Sequence, residues 1–384
     1  MDRYGMSSVR WWLGILLIVA GVAEARTLQV GPGKQFLFPS VAAQFAEDGD
    51  LIEIDAAGLY QNDHVVWPQN NITIKGVNGR PHLKSFGLIP NQKGVWVIQG
   101  NGVTVTNVEI SGAKVKDGNG AAIRLEGENF HLSDCLIHSN QNGILAGIRQ
   151  PDSEVLIERC EFAFNGAGDG YTHNIYIGEV GKFTLRDSYS HNALVGQNVK
   201  SRAKENYILY NRLFEGTTSY AVDLSNGGYG LVMGNILYQG KDTENWTLVT
   251  FGPEGLSYPE NKLEVVYNTF LSERAGAGVF VKAADKADVK IINNIFGGIA
   301  ELFLGDKSSA RIENNVQEKM PYGSFSPQGV TLSGLVASKV IDMAVPVVDL
   351  RGEALLPLRQ TIASVVGTRK PLGKGLDIGA LEYR

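Results

Sequence analysis

The chain has 384 residues, of which 43% are hydrophobic and 46 are glycine. That glycine content, about 12% against a norm of ~7%, implies many turns or close backbone approaches. Lys and Arg number 35 against 40 Asp and Glu, a net charge of −5, which argues against a general nucleic-acid binder and leaves room for a locally basic site.

Residues 1–25 read as an export signal. Arg3 and Arg10 precede the apolar run WWLGILLIVAGV, and Ala23-Glu24-Ala25 supplies a small-x-small cleavage pattern. The run is too short for a span of ~20 residues, so a mature chain starting at Arg26 is expected, periplasmic or secreted, with no stable membrane insertion. An uncleaved anchor is the alternative.

Residues 26–71 read as an N-terminal cap and first coil. Thr27–Val30 and the stretch with Leu51, Ile52 and Ile54 are predicted strands. Residues 40–46 carry Val41 and Phe45 in a helix-like pattern, with Ser40 as N-cap.

Residues 72–320 repeat. The segments VTVTNVEI, FHLSDCLI, VLIERCEF, FTLRDSYS, YILYNRLF, LVMGNILY, LEVVYNTF, VKIINNIF and ARIENNVQ start at positions 103, 130, 155, 183, 207, 231, 263, 289 and 310. Their mean spacing near 26 is a solenoid period. Apolar residues alternate with period two, so the segments are strands. Asn or Asp often stands fifth, at Asn107, Asp134, Asp187, Asn211, Asn235, Asn293 and Asn314; these suit a corner with left-handed backbone and a stacked ladder of side-chain amides. A second strand follows in each repeat, such as AAIRLEG, HNIYIG, QNVKSRA and YAVDLSN. The prediction is an all-β chain, a single-stranded right-handed parallel β-helix of about ten coils with an N-terminal cap. Cys135 and Cys160 hold the same position in successive repeats and are expected to stack, as buried free thiols or as a disulfide. Residues 321–384 read as a tail on the solenoid, with LDIGALEY as a final strand.

The chemistry concentrates in 171–228. With Ile175, Ile177, Val199, Ser201, Val222 and Leu224 pointing inward, Tyr176, Lys200 and Asp223 form one outward column, flanked by Asn174, Asn198 and Arg202. His173 and His191 are close in sequence. Between His173 and Lys204, Lys182, Arg186, Lys200, Arg202 and Lys204 face only Glu179 and Asp187. A basic groove on an acidic exported protein fits an anionic polymer such as a polyuronate, whose carboxylates Arg binds through paired hydrogen bonds. Breaking it by β-elimination needs a base and a positive charge for the enolate. The catalytic candidates are therefore Lys200, Arg202, Tyr176, His173 and His191, with Lys200 or Tyr176 as base and Arg202 on the carboxylate. Asn174, Asn198, Asp223 and Asn226 are the substrate-binding candidates. No HExxH or paired CxxC is present, so no metal ligands are assigned. The alternatives are a uronate epimerase, a glycoside hydrolase with paired carboxylates, and a non-catalytic polysaccharide-binding protein. A groove walled by the loops at 166–172 and 240–245 favours an enzyme. A monomer is expected.

The coils with outward Lys and Arg, the Asn pattern and the closing DIGALEY resemble the right-handed parallel β-helix proteins of the pectate-lyase-like superfamily. Part of the chain is similar to polysaccharide lyases of the chondroitinase B and alginate lyase type, which carry Lys-Ser-x-x-Asn and, one coil later, Arg-His-Gly. Here Arg202-Ala203-Lys204-Glu205-Asn206 takes the first place, with Arg202 at the base lysine and Lys200 two residues upstream; Asp223 falls near the arginine. The acidic calcium ligands of that family are replaced by Val195 and Gln197, so the carry-over fails at the key positions: either the chemistry is rearranged around Lys200 or the chain is a different family on the same scaffold, and with calcium unsupported by these residues no cofactor is expected.

Overall fold

The computed structural model describes Met1 and residues 25–274, 278–362 and 365–383. The signal predicted at 1–25 therefore lies almost wholly outside the described residues. Among these, no helix is long and apolar enough to cross a membrane.

Period-two alternation buries one side of every strand: Val103, Val105, Phe130, Leu132, Val155, Ile157, Phe183 and Leu185 all lie in the core. A short strand with one buried side gains by stacking on its copy in the next repeat. Three faces result. The first carries one strand per coil, eleven among the described residues, from Tyr60–Gln61 to Val316–Glu318. The second holds strands such as Ala121–Leu125, Val199–Ser201 and Val222–Leu224. The third holds the opening segment of each repeat. Asn142–Glu158 and Ile175–Arg186 run from the second face into the third and join them into one twenty-stranded sheet. All ladders among these strands that touch the site are parallel. The molecule is a right-handed parallel β-helix of eleven turns.

The fifth-position residues divide into two sets. Phe183 pairs with Asn206, then Gly230, Leu263, Val289 and Ala310 follow in register, so the segments at Tyr207 and Leu231 sit one residue out of phase with the alignment by apolar pattern. Asn107, Asp134, Asp187, Asn293 and Asn314 occupy a corner with φ of +49° to +60°, where Asn and Asp are tolerated. Asn211 and Asn235 instead point inward, one step on. They begin a ladder, Asn211–Asn235–Asn268–Asn294–Asn315, in which each side-chain amide donates to the next carbonyl oxygen at 2.9–3.0 Å. A second ladder, Asn140–Asn165–Asn174–Asn198, closes the corner between the first and second faces at 2.8–3.1 Å.

Cys135 and Cys160 stack as buried free thiols. Each donates to a carbonyl two residues back, at 3.1 and 3.2 Å, and burial and the neighbouring Cys135 push the Cys160 thiol far up, so both are inert.

The cap helix is Pro39–Ala43, with Phe38 at the N-cap position and Ala42 and Ala43 buried against the first strands. Ser40 lies inside it. The Asp63 carboxylate, not the Ser40 hydroxyl, takes up a free helical N–H, that of Ser40, at 3.0 Å. The tail forms hairpins, Tyr322–Ser326 with Gly329–Leu332 among them, and runs back along the coils. Gly379 N–H reaches the Asn293 carbonyl at 2.8 Å and Ala380 N–H the Thr269 hydroxyl at 2.9 Å. Residues 376–383 are not the strand expected from their apolar pattern. Buried Arg369 takes the carbonyls of Asp377, Gly379 and Leu381 at 2.7–3.2 Å and pairs with Glu382 at 2.7 Å. The backbone acceptors are thus satisfied by a side chain, and no strand partner is needed.

Asn268 donates to the carbonyls of Val232 and Val266 and to Asn294, and accepts from Asn235. Asn268→Ala strands several buried groups and is expected to cost about 2–4 kcal/mol in urea unfolding. Asn315→Ala, at the half-exposed end of the same ladder, is expected to lose distinctly less.

Candidate functional site

Alternation places the column as the sequence implied. Tyr176 pairs with Lys200, Lys200 with Asp223, and Asp223 with Thr250 on successive coils of the second face. Arg202 follows the strand Val199–Ser201 and donates to the Tyr176 hydroxyl, with its guanidinium carbon 5.1 Å from the centre of that ring. The Tyr258 hydroxyl donates to the Arg202 carbonyl at 2.6 Å and holds the turn.

One residue of the site escaped the sequence reading. Glu254 lies in the loop after Thr247–Phe251 and folds back over the column, because Gly252 N–H bonds the Leu224 carbonyl at 2.8 Å and Glu254 N–H the Ser225 carbonyl at 3.0 Å. Its carboxylate receives Lys200 Nζ at 2.7 Å and, on the other oxygen, Arg202 Nε and Nη2 at 2.9 and 2.6 Å. Lys200 Nζ is also 3.5 Å from Asp223 Oδ2. Asp223 is buried and accepts from Ser225 Oγ at 2.9 Å and Gln197 Nε2 at 3.2 Å. The signal that could have found Glu254 is an acid inside a Gly-Pro-Glu-Gly turn directly after a second-face strand.

Burial alone would lower the Lys200 ammonium, but Asp223 and Glu254 outweigh it and hold the group above its usual range. Lys200 is therefore a fixed positive charge at neutral pH, which speaks against its expected role as base. Burial pushes the Asp223 carboxyl up, and Lys200 only partly reverses this. Burial also opposes the Glu254 carboxylate, yet the hydrogen bonds from Lys200 and Arg202 prevail and hold it below the usual range. Two carboxyl groups on one ammonium are thus driven in opposite directions.

His173 stacks on Tyr176, ring centres 5.8 Å apart, and its Nδ1 accepts Gln197 N–H at 3.1 Å. Gly196 makes that approach possible, since a Cβ there would stand 2.9 Å from Nδ1 and 1.7 Å from the Thr172 carbonyl. Beside it Val195 has φ +66°, a costly setting for a β-branched residue. Burial, then Lys200, lowers the His173 imidazole to about 3. It is a neutral support behind Tyr176.

Three expectations fail here. Asn174 and Asn198 do not face outward. They are buried members of the second ladder, because the corner before each strand turns them in. His191 lies on the first face in the strand Tyr189–His191, stacked on Tyr189 at 4.1 Å and bonded to Glu161 at 3.2 Å. Asn226 is half-buried in the turn beyond Val222–Leu224, its carbonyl accepting Ser257 N–H at 2.9 Å beside the Glu254 loop. Four of the five cations of the expected basic groove are paired: Lys182 meets Glu154, Arg186 meets Glu158, and Lys200 and Arg202 meet Glu254. Of the loops expected to wall a groove, residues 166–167 and 240–242 line depressions of about 600 and 490 Å³ on the first-face side.

No family model matches the chain, and no curated protein matches it. Among solved structures, pectate lyase Pel9A superposes with a TM-score of 0.58 at 14% identity, covering 95% of this chain and 98% of that one. The fold is that of the pectate-lyase-like β-helices. Two looser likenesses are the GH136 lacto-N-biosidase of Eubacterium ramulus, TM-score 0.46 at 12% identity over 76% of this chain and 68% of that one, and carrot pectin methylesterase, TM-score 0.37 at 12% identity over 79% and 91%. At these identities the likeness is one of fold. On this pectate-lyase-like helix the polar column occupies the second face at its middle coils.

Two outcomes follow from the electrostatics. An NMR titration is expected to show no protonation step at His173 between pH 5 and 8. A carboxylate held below its unfolded value stabilises the fold above that value, and the gain is lost as pH falls through the folded one. The melting-point advantage of the wild type over Glu254→Gln is therefore expected near neutral pH and to shrink once pH falls below the usual glutamate range.

Proposed function

We propose that this chain is an exported, monomeric enzyme that cleaves an acidic, uronate-containing polysaccharide by β-elimination at the Tyr176–Lys200–Arg202 column. The observation that carries the reading is Glu254. A carboxylate already sits between Lys200 and Arg202, bound through three donors, and a uronate offers the same group. The export signal read from residues 1–25 and the fold shared with a protein named a pectate lyase support it.

In this scheme Arg202 and the ammonium of Lys200 bind the uronate carboxylate and stabilise the charge that develops on it as the neighbouring C–H bond breaks. Tyr176, as the phenolate that the adjoining Arg202 guanidinium stabilises, takes the proton, since Lys200 is held charged. The C–H electrons form the new double bond, and the glycosidic oxygen leaves with its bonding pair and takes the proton from Tyr176, which restores the phenolate. Asp223 fixes Lys200, and His173 fixes the Tyr176 ring. Glu254 yields its place to the substrate; its loop has left-handed glycines at Gly252 (φ +70°) and Gly255 (φ +116°) as pivots. The scheme uses no metal, for Asp223 and Glu254 are both engaged by the Lys200 ammonium.

Hydrolysis is the second reading, favoured by the opposite displacement of Asp223 and Glu254. It makes Asp223 the acid and Glu254 the base or nucleophile.

Ultraviolet absorbance with a panel of polyuronates and glycosaminoglycans separates the two, because elimination alone creates an absorbing unsaturated uronate. A rise is expected that falls ~10²–10⁴-fold in Tyr176→Phe and ~10²–10³-fold in Arg202→Ala. New reducing ends without absorbance, abolished in Glu254→Gln, would replace elimination by hydrolysis. A rise untouched by either of the first two variants would remove the site.

A further inference from the structure

On the first face, in the coils just before the polar column, three residues one coil apart converge. His82 pairs with Glu109 across adjacent strands, and His138 lies on the strand after that, where it pairs with Ser111. All point outward and are half-buried, and one ligand atom from each lies within 4.8 Å of the others. His82 Nδ1 is 3.3 Å and His138 Nε2 is 3.1 Å from the same Glu109 oxygen. The outer ring nitrogens are also engaged: His82 Nε2 with Ser111 Oγ at 2.7 Å, and His138 Nδ1 with Ser139 Oγ at 3.1 Å. The cation nearby, Lys84, sits 5.0 Å over the Phe86 ring.

We infer that His82, Glu109 and His138 form a binding site for a first-row divalent cation, zinc foremost. Two ligands each about 2.1 Å from a tetrahedral zinc stand roughly 3.4 Å apart, close to the separations found before any ion is placed. The hydroxyls of Ser111 and Ser139 accept from the outer ring N–H groups. This leaves the lone pairs of His82 Nδ1 and His138 Nε2 directed at the common point, the outer-shell arrangement that orients imidazole ligands. Two imidazoles and one carboxylate suit zinc and its neighbours and not calcium. Three protein ligands leave a coordination position open to water. The ion ties three successive coils together at the N-terminal third of the helix.

The test uses the mature chain with any purification tag removed. One equivalent of cobalt(II) is expected to give visible absorption bands of a four- or five-coordinate ion, bleached by zinc, and zinc is expected to raise the melting temperature. His138→Ala and Glu109→Gln are expected to weaken binding by more than ~100-fold, and Ser111→Ala by ~10-fold or more, while His131→Ala leaves it unchanged. Absence of bands together with an unmoved melting point overturns the site. So do bands that survive both ligand substitutions. Should a ligand variant fail to fold by circular dichroism, Ser111→Ala decides, and unaltered affinity there counts against the assignment.

Discussion

Stacked coils lie about 4.8 Å apart, and every amide that turns inward at a corner must find its partner one coil away, since water does not reach it. The two asparagine ladders answer that demand and thereby fix the register of everything else. Asn174 and Asn198 stand two residues before Tyr176 and Lys200 and are bonded to each other at 3.1 Å. Two neighbouring strands are pinned at the same height, so their outward side chains fall in line. The residues read from the sequence as ligand contacts turn out to be the rivets that align the outward column.

An ammonium set into such a wall loses much of its hydration, and an unpaired one would shed its proton. Lys200 avoids this by meeting Asp223 from the next coil and Glu254 from a loop one coil beyond. Charge that looks like an excess along 173–204 is balanced by acids 23 to 54 positions away. What remains is a compact network of alternating sign, in which one carboxylate, Glu254, is delivered by a loop.

The fold was legible because period-two alternation repeated at a spacing near 26 residues leaves few other arrangements. The same alternation located Tyr176, Lys200 and Asp223, which lie within straight strands. It failed at the corners, where Asn174 and Asn198 turn inward ahead of their strands, and at the segment at Tyr207, whose register is offset by one residue. It also could not reveal which face a residue occupies, hence His191. Glu254 was hidden because a loop, not a strand, delivers it. The cluster of His82, Glu109 and His138 escapes local metal motifs, since its members are 27 and 29 residues apart. That spacing is itself about one coil, the signal by which such a set becomes visible once the period is known.

A solenoid whose coils touch only their neighbours unfolds from its ends inward. The C-terminal tail changes this. Arg351 reaches Glu205 at 2.9 Å and Arg359 reaches Asp187 at 2.9 Å, contacts that span well over a hundred residues. They cannot form until the coils between have been laid down, because closing so long a loop before then costs entropy without return. The tail is thus a latch applied late in folding. Once closed, it couples the fraying of the last coils to that of the middle ones, and turns a stack of semi-independent turns into a more cooperative unit.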